Sequence, residues 1–99
     1  MPITGPQCRA ARALTVWSRE QLAEVSSIPI HTIADFEIGR DVPPLDVRAR
    51  LQAALEEAGA VFIPENGGGI GVRLKFNRRE VRAINKWEGE GGNLGEDDV

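Results

Sequence analysis

The sequence is poor in residues that build cross-links and metal sites, because its 99 residues include one cysteine, one histidine and no tyrosine. A single cysteine excludes a disulfide within the chain, and Cys8 with His31 is too small a set for structural zinc. The longest strictly apolar run, residues 60–63, is far too short for a transmembrane helix. The first residues lack the basic and apolar regions of a secretory signal. We therefore expect a cytoplasmic protein without cofactors and without membrane contact.

Side chains that could catalyse a reaction are few, and structural roles explain them better. Cys8 falls on the apolar face of a predicted helix, which favours a core residue over a reactive thiol. The glycine-rich residues 67–71 precede a strand pattern instead of a helix, which favours a hairpin turn over a phosphate-binding loop. The acidic residues 96–98 are typical of a solvated tail more than of a cation site. These features predict that the protein is not an enzyme.

The net charge of −3 is unevenly distributed along the chain. Residues 73–86 carry six basic side chains and one acidic side chain, whereas residues 88–98 carry five acidic side chains. The overall acidity argues weakly against a nucleic-acid partner, and the basic block argues weakly for one. The block is also compatible with a solvated face that pairs electrostatically with the acidic end, so composition leaves both interpretations open.

The first two helices begin with the same signature, a hydroxyl residue followed three positions later by glutamine. Such capping boxes satisfy backbone N–H groups that the start of a helix leaves unpaired. The pairs are Thr4 with Gln7 and Ser18 with Gln21. Apolar residues at helical spacing follow each pair and predict helices over residues 5–15 and 18–25.

A third and a fourth helix are predicted from proline, glycine and an apolar stripe. Pro29 suits the first turn of the third helix, and Gly39 supplies its left-handed end. Asp46 is the predicted N-cap of the fourth helix, whose apolar positions recur at helical spacing over residues 47–58. Gly59 is expected to end that helix. Four short helices with brief connections predict a compact helical unit.

After residue 60 the apolar pattern changes to a period of two, which is typical of strands. Residues 61–63 and 70–76 are predicted to pair across a glycine-rich turn as a β-hairpin. Its alternating apolar residues are Ile70, Val72, Leu74 and Phe76. A lone hairpin leaves backbone groups unpaired at its edges, so residues 60–76 are expected to mediate a homodimer through this face.

Residues 77–99 are predicted to form a short helix and a tail. A third helix-start signature at residues 77–80 precedes a weak apolar stripe formed by Val81, Ile84 and Trp87. The acidic, glycine-rich residues 89–99 are predicted to be flexible. The expected fold class is therefore mainly α, a bundle of four to five helices followed by a small β-hairpin.

Residues 18–23, 28–39 and 47–58 resemble the helix-turn-helix domain of the Xre/Cro/phage-repressor family. The resemblance covers residues 4–59. Its most specific positions are Leu22, Ala23, Ile33, Glu37 and Gly39. Residues 7–14 and the glycine-rich hairpin turn resemble short bacterial members, in which a strand segment follows the DNA-binding helices. The resemblance implies a DNA-binding domain over residues 1–59.

By this resemblance the protein is expected to regulate transcription, as a repressor or autoregulator, by binding double-stranded DNA as a homodimer. In the family the third helix lies in the major groove. The residues at matching base-contacting positions are Pro29, Ile30, His31, Thr32 and Asp35. Ser18, Arg19 and Arg40 match phosphate-contacting positions, and the basic block adds Arg78 and Arg79. Glu37 is expected to be structural and to pair with a basic side chain or backbone donors.

The predicted base-contacting residues depart from the usual readers of DNA. None is arginine, lysine, asparagine or glutamine, the residues that make most direct base contacts. Ile30 and Thr32 suit thymine methyl groups, and Asp35 suits the cytosine amino group but repels phosphate. An alternative function is therefore an adaptor or antitoxin-like module whose main partner is a protein.

Overall fold

The computed structural model describes residues 2–75, so the predictions made for Phe76, Arg78, Arg79, the fifth helix and the tail lie outside it. The described chain is mainly helical and ends in a two-stranded antiparallel sheet, which confirms the expected helices and hairpin. The elements are α1 (Gly5–Thr15), α2 (Arg19–Ser26), α3 (Ile30–Glu37), α4 (Leu45–Glu57), β1 (Ala60–Ile63) and β2 (Gly71–Leu74).

Both predicted capping boxes are present. The Thr4 hydroxyl accepts a hydrogen bond from the Gln7 backbone N–H at 3.2 Å, while the Gln7 side chain accepts from the Thr4 N–H at 3.0 Å. Ser18 and Gln21 exchange the corresponding bonds at 3.1 and 2.9 Å at the start of α2. These reciprocal bonds pair N–H groups that each helix start would otherwise leave to water.

The ends of α3 and the start of α4 show one confirmed and one wrong prediction. Gly39 follows α3 with φ +81°, the left-handed geometry expected of it. Asp46, however, is not the N-cap of α4, because the helix already begins at Leu45 after Pro44. Pro44 has φ −58°, close to the helical value, and its missing N–H costs nothing at a helix start. The Asp46 carboxylate lies in the first turn, where its charge still favours the helix dipole.

The hydrophobic core lies between the four helices and the start of β1. Its buried apolar residues are Ile3, Cys8, Ala11, Leu22, Ile28, Ile33, Phe36, Leu51, Ala54, Leu55 and Ala60. The buried positions of α4 fall within the predicted stripe. Burial of each large aliphatic side chain contributes about 1.5–3 kcal/mol, so this set accounts for most of the attraction between the helices.

The two strands form a short antiparallel ladder. The opposed residues are Ala60 with Leu74, Val61 with Arg73, Phe62 with Val72 and Ile63 with Gly71. The Lys75 N–H donates to the Gly59 carbonyl at 2.6 Å. Hydrogen-bonded pairs alternate with non-bonded pairs in such a ladder, so the backbone groups of Phe62 and Val72 point toward the outer edges.

The hairpin is fastened to the helices by the Gln7 side chain and by apolar contacts with the core. Gln7 Nε2 donates to the carbonyls of Ile63 and Gly71 at 3.3 and 2.9 Å, which ties α1 to both strands. Phe62 and Val72 are half-buried and pack against the core. A two-stranded hairpin is marginal by itself, and these contacts supply the support it needs.

Candidate nucleic-acid interface

Two serines shape the connection between α2 and α3. The Ser26 hydroxyl donates to the Leu22 carbonyl at 2.6 Å and accepts from the Ile28 N–H at 3.3 Å. Ser27 adopts a left-handed conformation with φ +61°, which ends α2. Ile28 is then buried and Pro29 starts α3. The three-residue connection is thus constrained by hydrogen bonds and burial, which restricts the relative motion of the two helices.

The carboxylate of Glu37, at the end of α3, is fully buried and joins three helices. Arg12 of α1 donates Nε to Oε2 at 2.7 Å and Nη2 to Oε1 at 2.8 Å, a bidentate pair. Arg19 of α2 donates Nε to Oε1 at 3.0 Å. The Cys8 thiol donates to Oε2 at 3.4 Å. The prediction that Glu37 pairs with a basic side chain is confirmed.

Burial and charge shift the pKa values of this cluster. Burial raises the pKa of Glu37, but hydrogen bonds from Arg12 and Arg19 outweigh that effect and hold the pKa below its ordinary value. The hydrogen bond to Glu37 raises the pKa of Arg12. Burial, together with the neighbouring Glu37 charge, raises the pKa of the Cys8 thiol. Cys8 is therefore a protonated core residue, as predicted, and not a thiolate nucleophile.

An open groove between the start of α2 and the start of α3 brings together four of the predicted DNA-contacting residues. These residues are Ser18, Arg19, Ile30 and His31. Ile30 and His31 are exposed, as the first two residues of α3. Ser18 caps α2 and Arg19 is partly held by Glu37, so both side chains have structural partners as well. The groove thus places two exposed α3 side chains beside the N-terminus of α2.

The other predicted contact residues lie outside this groove. Pro29 is exposed and precedes α3, whereas Thr32 and Asp35 are half-buried along the helix. Arg40 is exposed beyond the far end of α3, where its N–H donates to the Asp35 carbonyl at 2.8 Å. Eight helical residues span about 12 Å, so Arg40 lies roughly one helix length from Ile30.

The described part of the chain does not carry a strong positive surface. Residues 2–75 hold eight basic and nine acidic side chains. Arg12 and Arg19, which line the groove, are balanced by Glu20 in the same lining and by the buried Glu37. The described residues therefore offer phosphate few exposed cations along α3, and Arg40 is one of them.

The exposed apolar surface expected at Ile30 extends along the outer face of α3 to Ile38, which the sequence reasoning missed. Ile30 is 41% exposed and Ile38, just after the helix, is 58% exposed. Ala34 lies between them on the same face, because residues four apart share a face of a helix. The repeat at positions 30, 34 and 38 was visible in the sequence, but Ile30 and Ala34 also neighbour the core stripe through Ile33 and were candidates for that buried face. An exposed apolar strip suits thymine methyl groups or a protein partner.

The residues predicted for dimerisation are divided between two environments. Val72 packs against the core of its own chain, and Leu74 is half-buried opposite Ala60. Ile70 precedes β2 and is 42% exposed. Two of the three described residues of the predicted face are therefore partly covered within one chain, and the described residues offer a second copy the strand edges and Ile70.

Two further residues that position this site were also missed. Arg12 supplies the bidentate contact to Glu37, from 25 residues away in the sequence. Gly5 has no side chain, and a Cβ built there would collide with the Phe36 carbonyl, so α1 and α3 approach closely at this point. Neither contact leaves a local signal, since both partners are distant in the chain.

Two classes of site find no support in the described part of the chain. Within residues 2–75 no group of three or more His, Cys, Asp and Glu side chains is placed to hold a metal ion. No helix in that span has the length and apolar character needed to cross a membrane.

No protein-family model and no curated protein matches the chain. The resemblance of residues 4–59 to the Xre/Cro/phage-repressor family thus rests on the residues alone.

Proposed function

We propose that the protein is a sequence-specific DNA-binding regulator of transcription that acts as a homodimer, with α2 and α3 as a helix-turn-helix. One observation carries this proposal: the groove in which Ile30 and His31, exposed at the start of α3, lie beside Ser18 and Arg19 at the start of α2. In a helix-turn-helix, the start of the second helix reads base edges while the preceding helix meets the backbone.

The proposed roles divide between reading bases and holding phosphates. Ile30 and His31 reach base edges, with Ile30 against a thymine methyl group and His31 as a hydrogen-bonding partner. The N-terminus of α2 and Arg40 hold phosphates at either end of the contact. The ion pairs of Glu37 fix both helices before DNA arrives, which reduces the entropy lost on binding.

The proposed homodimer pairs the hairpins of two chains along their outer edges. Phe62 and Val72 direct backbone groups outward in the observed register, and a second copy can pair with them by two-fold symmetry. A dimer of this kind presents two α3 helices to DNA. It is expected to bind palindromic sites whose halves are about 34 Å apart, or a multiple of that distance.

Affinity for a selected DNA site and for its scrambled version, at several salt concentrations, tests the proposed roles. Ile30→Ala is expected to lose about 1–3 kcal/mol of preference for the selected site, because one base contact is removed. Asp35→Ala is expected to change base preference and raise total affinity, since a negative charge near phosphate is lost. Arg40→Ala is the matched substitution at a residue proposed to contact phosphate. It is expected to weaken both DNAs alike and to lower the salt slope by about one.

Arg19→Ala is a poor test of phosphate binding, because the Arg19 side chain also stabilises the buried Glu37. If Ile30→Ala and Asp35→Ala both leave the ratio of affinities unchanged, α3 does not read DNA and the proposal is wrong.

A protein partner is the second candidate function, and the exposed strip of Ile30 and Ile38 favours it. An adaptor of this type uses α3 as an apolar docking face, for which the shortage of positive charge is no handicap. Ile38→Asp separates the two functions. It abolishes binding of a protein at this strip, whereas its effect on DNA is limited to added repulsion of phosphate.

A further inference from the structure

A second cleft lies where α2 ends, beside the last turns of α4 and the end of β2, and has a volume of about 820 Å³. Val25, Ala53 and Ala54 give it apolar surface. The charged lining residues are Glu56 and Glu57, both exposed, and the basic Arg50 and Lys75, of which Arg50 donates to the Ser26 carbonyl at 3.1 Å. None of its lining residues belongs to the groove between α2 and α3. The cleft is thus a separate surface that is partly apolar and carries charges of both signs.

The chain leaves the described structure at this cleft. Lys75, the last described residue, is one of its lining residues, and residues 76–99 follow directly. The next stretch of sequence, residues 77–87, has apolar residues to match the apolar surface and four basic residues, against the single acidic Glu80, to pair with Glu56 and Glu57. Its apolar residues are Val81, Ile84 and Trp87, and its basic residues are Arg78, Arg79, Arg82 and Lys86. The five acidic side chains of residues 88–98 come only after this stretch.

We propose that the cleft is the docking site of residues 77–87 of the same chain. The apolar side chains of this segment cover Val25, Ala53 and Ala54, and its arginines lie opposite Glu56 and Glu57. One residue, Phe76, separates the segment from Lys75, and so short a tether gives an effective concentration on the order of millimolar. Weak contacts therefore suffice to keep the segment docked, and no second molecule is needed to occupy the cleft.

Docking has a consequence for charge. Arginines that face Glu56 and Glu57 are held beside α4, and are not free to contact a nucleic-acid phosphate elsewhere. The inference does not depend on DNA binding, because the cleft and the segment belong to one chain and the contact exists without DNA.

Fluorescence of Trp87 in the full-length chain tests the proposal, with Trp17→Phe removing the other tryptophan. The probes are the emission wavelength and quenching by acrylamide, compared with a peptide of residues 77–99 alone. Docking predicts that Trp87 emission is shifted to the blue and that quenching is weaker in the full chain. Both effects are expected to be independent of protein concentration.

Charge reversal in the cleft provides the matched comparison. Glu56→Lys with Glu57→Lys is expected to return Trp87 to the behaviour of the free peptide. Glu20→Lys with Glu24→Lys, the same charge change at exposed positions of α2 outside the cleft lining, is expected to leave Trp87 protected. Lysines near the end of α4 favour the helix dipole, so the cleft variant should fold, and circular dichroism checks this.

A second pair of variants tests the apolar surface of the cleft and leaves Glu56 and Glu57 unchanged. Ala53→Arg fills the cleft and is expected to expose Trp87, whereas Ala49→Arg, one turn earlier on α4 and outside the lining, is not. Three results overturn the proposal: Trp87 as accessible as in the peptide, protection that both cleft variants leave intact, or protection that disappears on dilution. The last result identifies a second copy as the occupant.

Discussion

Replacing Glu37 by glutamine removes the negative charge that Arg12 and Arg19 share, while the size of the side chain hardly changes. The carboxylate accepts three hydrogen bonds from the two arginines and one from Cys8. Glutamine offers one oxygen, and its NH₂ group would face an arginine donor. Loss of one partner from a fully buried pair costs about 3–5 kcal/mol.

The side chains of Arg12 and Arg19 are 16% and 32% exposed, respectively. Water therefore solvates them in part when the carboxylate is lost, which reduces the cost. We expect Glu37→Gln to lower the free energy of unfolding by about 2–4 kcal/mol. For a domain of this size the melting temperature falls by about 10–20 °C. Denaturant unfolding measures the change. Glu24→Gln, at an exposed position of α2, is the control and should stay within about 0.5 kcal/mol of wild type. If Glu37→Gln lowers the free energy of unfolding no more than the control does, the ion pairs of Glu37 do not stabilise the fold.

The pH dependence of the difference in unfolding free energy between wild type and Glu37→Gln gives an independent check. The pKa of Glu37 is lower in the folded protein than in the unfolded chain. Its contribution to the free energy of unfolding is therefore complete above the pKa of an unfolded glutamate, about 4.3. It is lost as pH falls through the lower folded pKa. The gap in stability between wild type and Glu37→Gln should therefore shrink on acidification. A gap that widens below pH 4 contradicts the sign of the shift.

Three further predictions concern packing around the same helices. Gly5→Ala is expected to cost about 1–3 kcal/mol, because the added methyl group collides with the Phe36 carbonyl; unchanged thermal unfolding would argue against that close approach. Gln7→Ala should speed hydrogen exchange in residues 60–74, since it loses both hairpin contacts, whereas Gln21→Ala loses only a capping bond and should not. The Cys8 thiol should resist alkylation in the native protein and react on unfolding; rapid labelling of folded protein would contradict its burial.

Local chemistry made the helix starts predictable, and only in part. Thr4 and Ser18 cap their helices because each finds its glutamine three residues away, within one turn. Asp46 failed as an N-cap because Pro44 and Asp46 both suit a helix start, one by its fixed φ and the other by its charge. Residue preferences alone do not choose between two acceptable starts two residues apart.

Contacts between distant residues were predictable in kind but not in identity. A buried acid at the end of α3 requires a partner, so the pairing of Glu37 was expected, yet Arg12 and Arg19 lie 25 and 18 residues away. The alternation of residues 70–76 identified a strand, but not that Val72 would pack on its own core. Gln7 was identified as a cap, and its second role as an anchor for the hairpin depends on tertiary structure.

Selection of DNA from a random pool by the purified protein decides whether the groove between α2 and α3 serves to read a sequence. We predict enrichment of a palindromic motif, with half-sites spaced by about one helical turn of DNA, and protection of both halves by the bound protein. The Ile30→Ala variant, selected in parallel, should relax the preference at one position in each half-site. If no sequence is enriched even at low salt, where phosphate contacts are strongest, the protein is not a sequence-specific regulator.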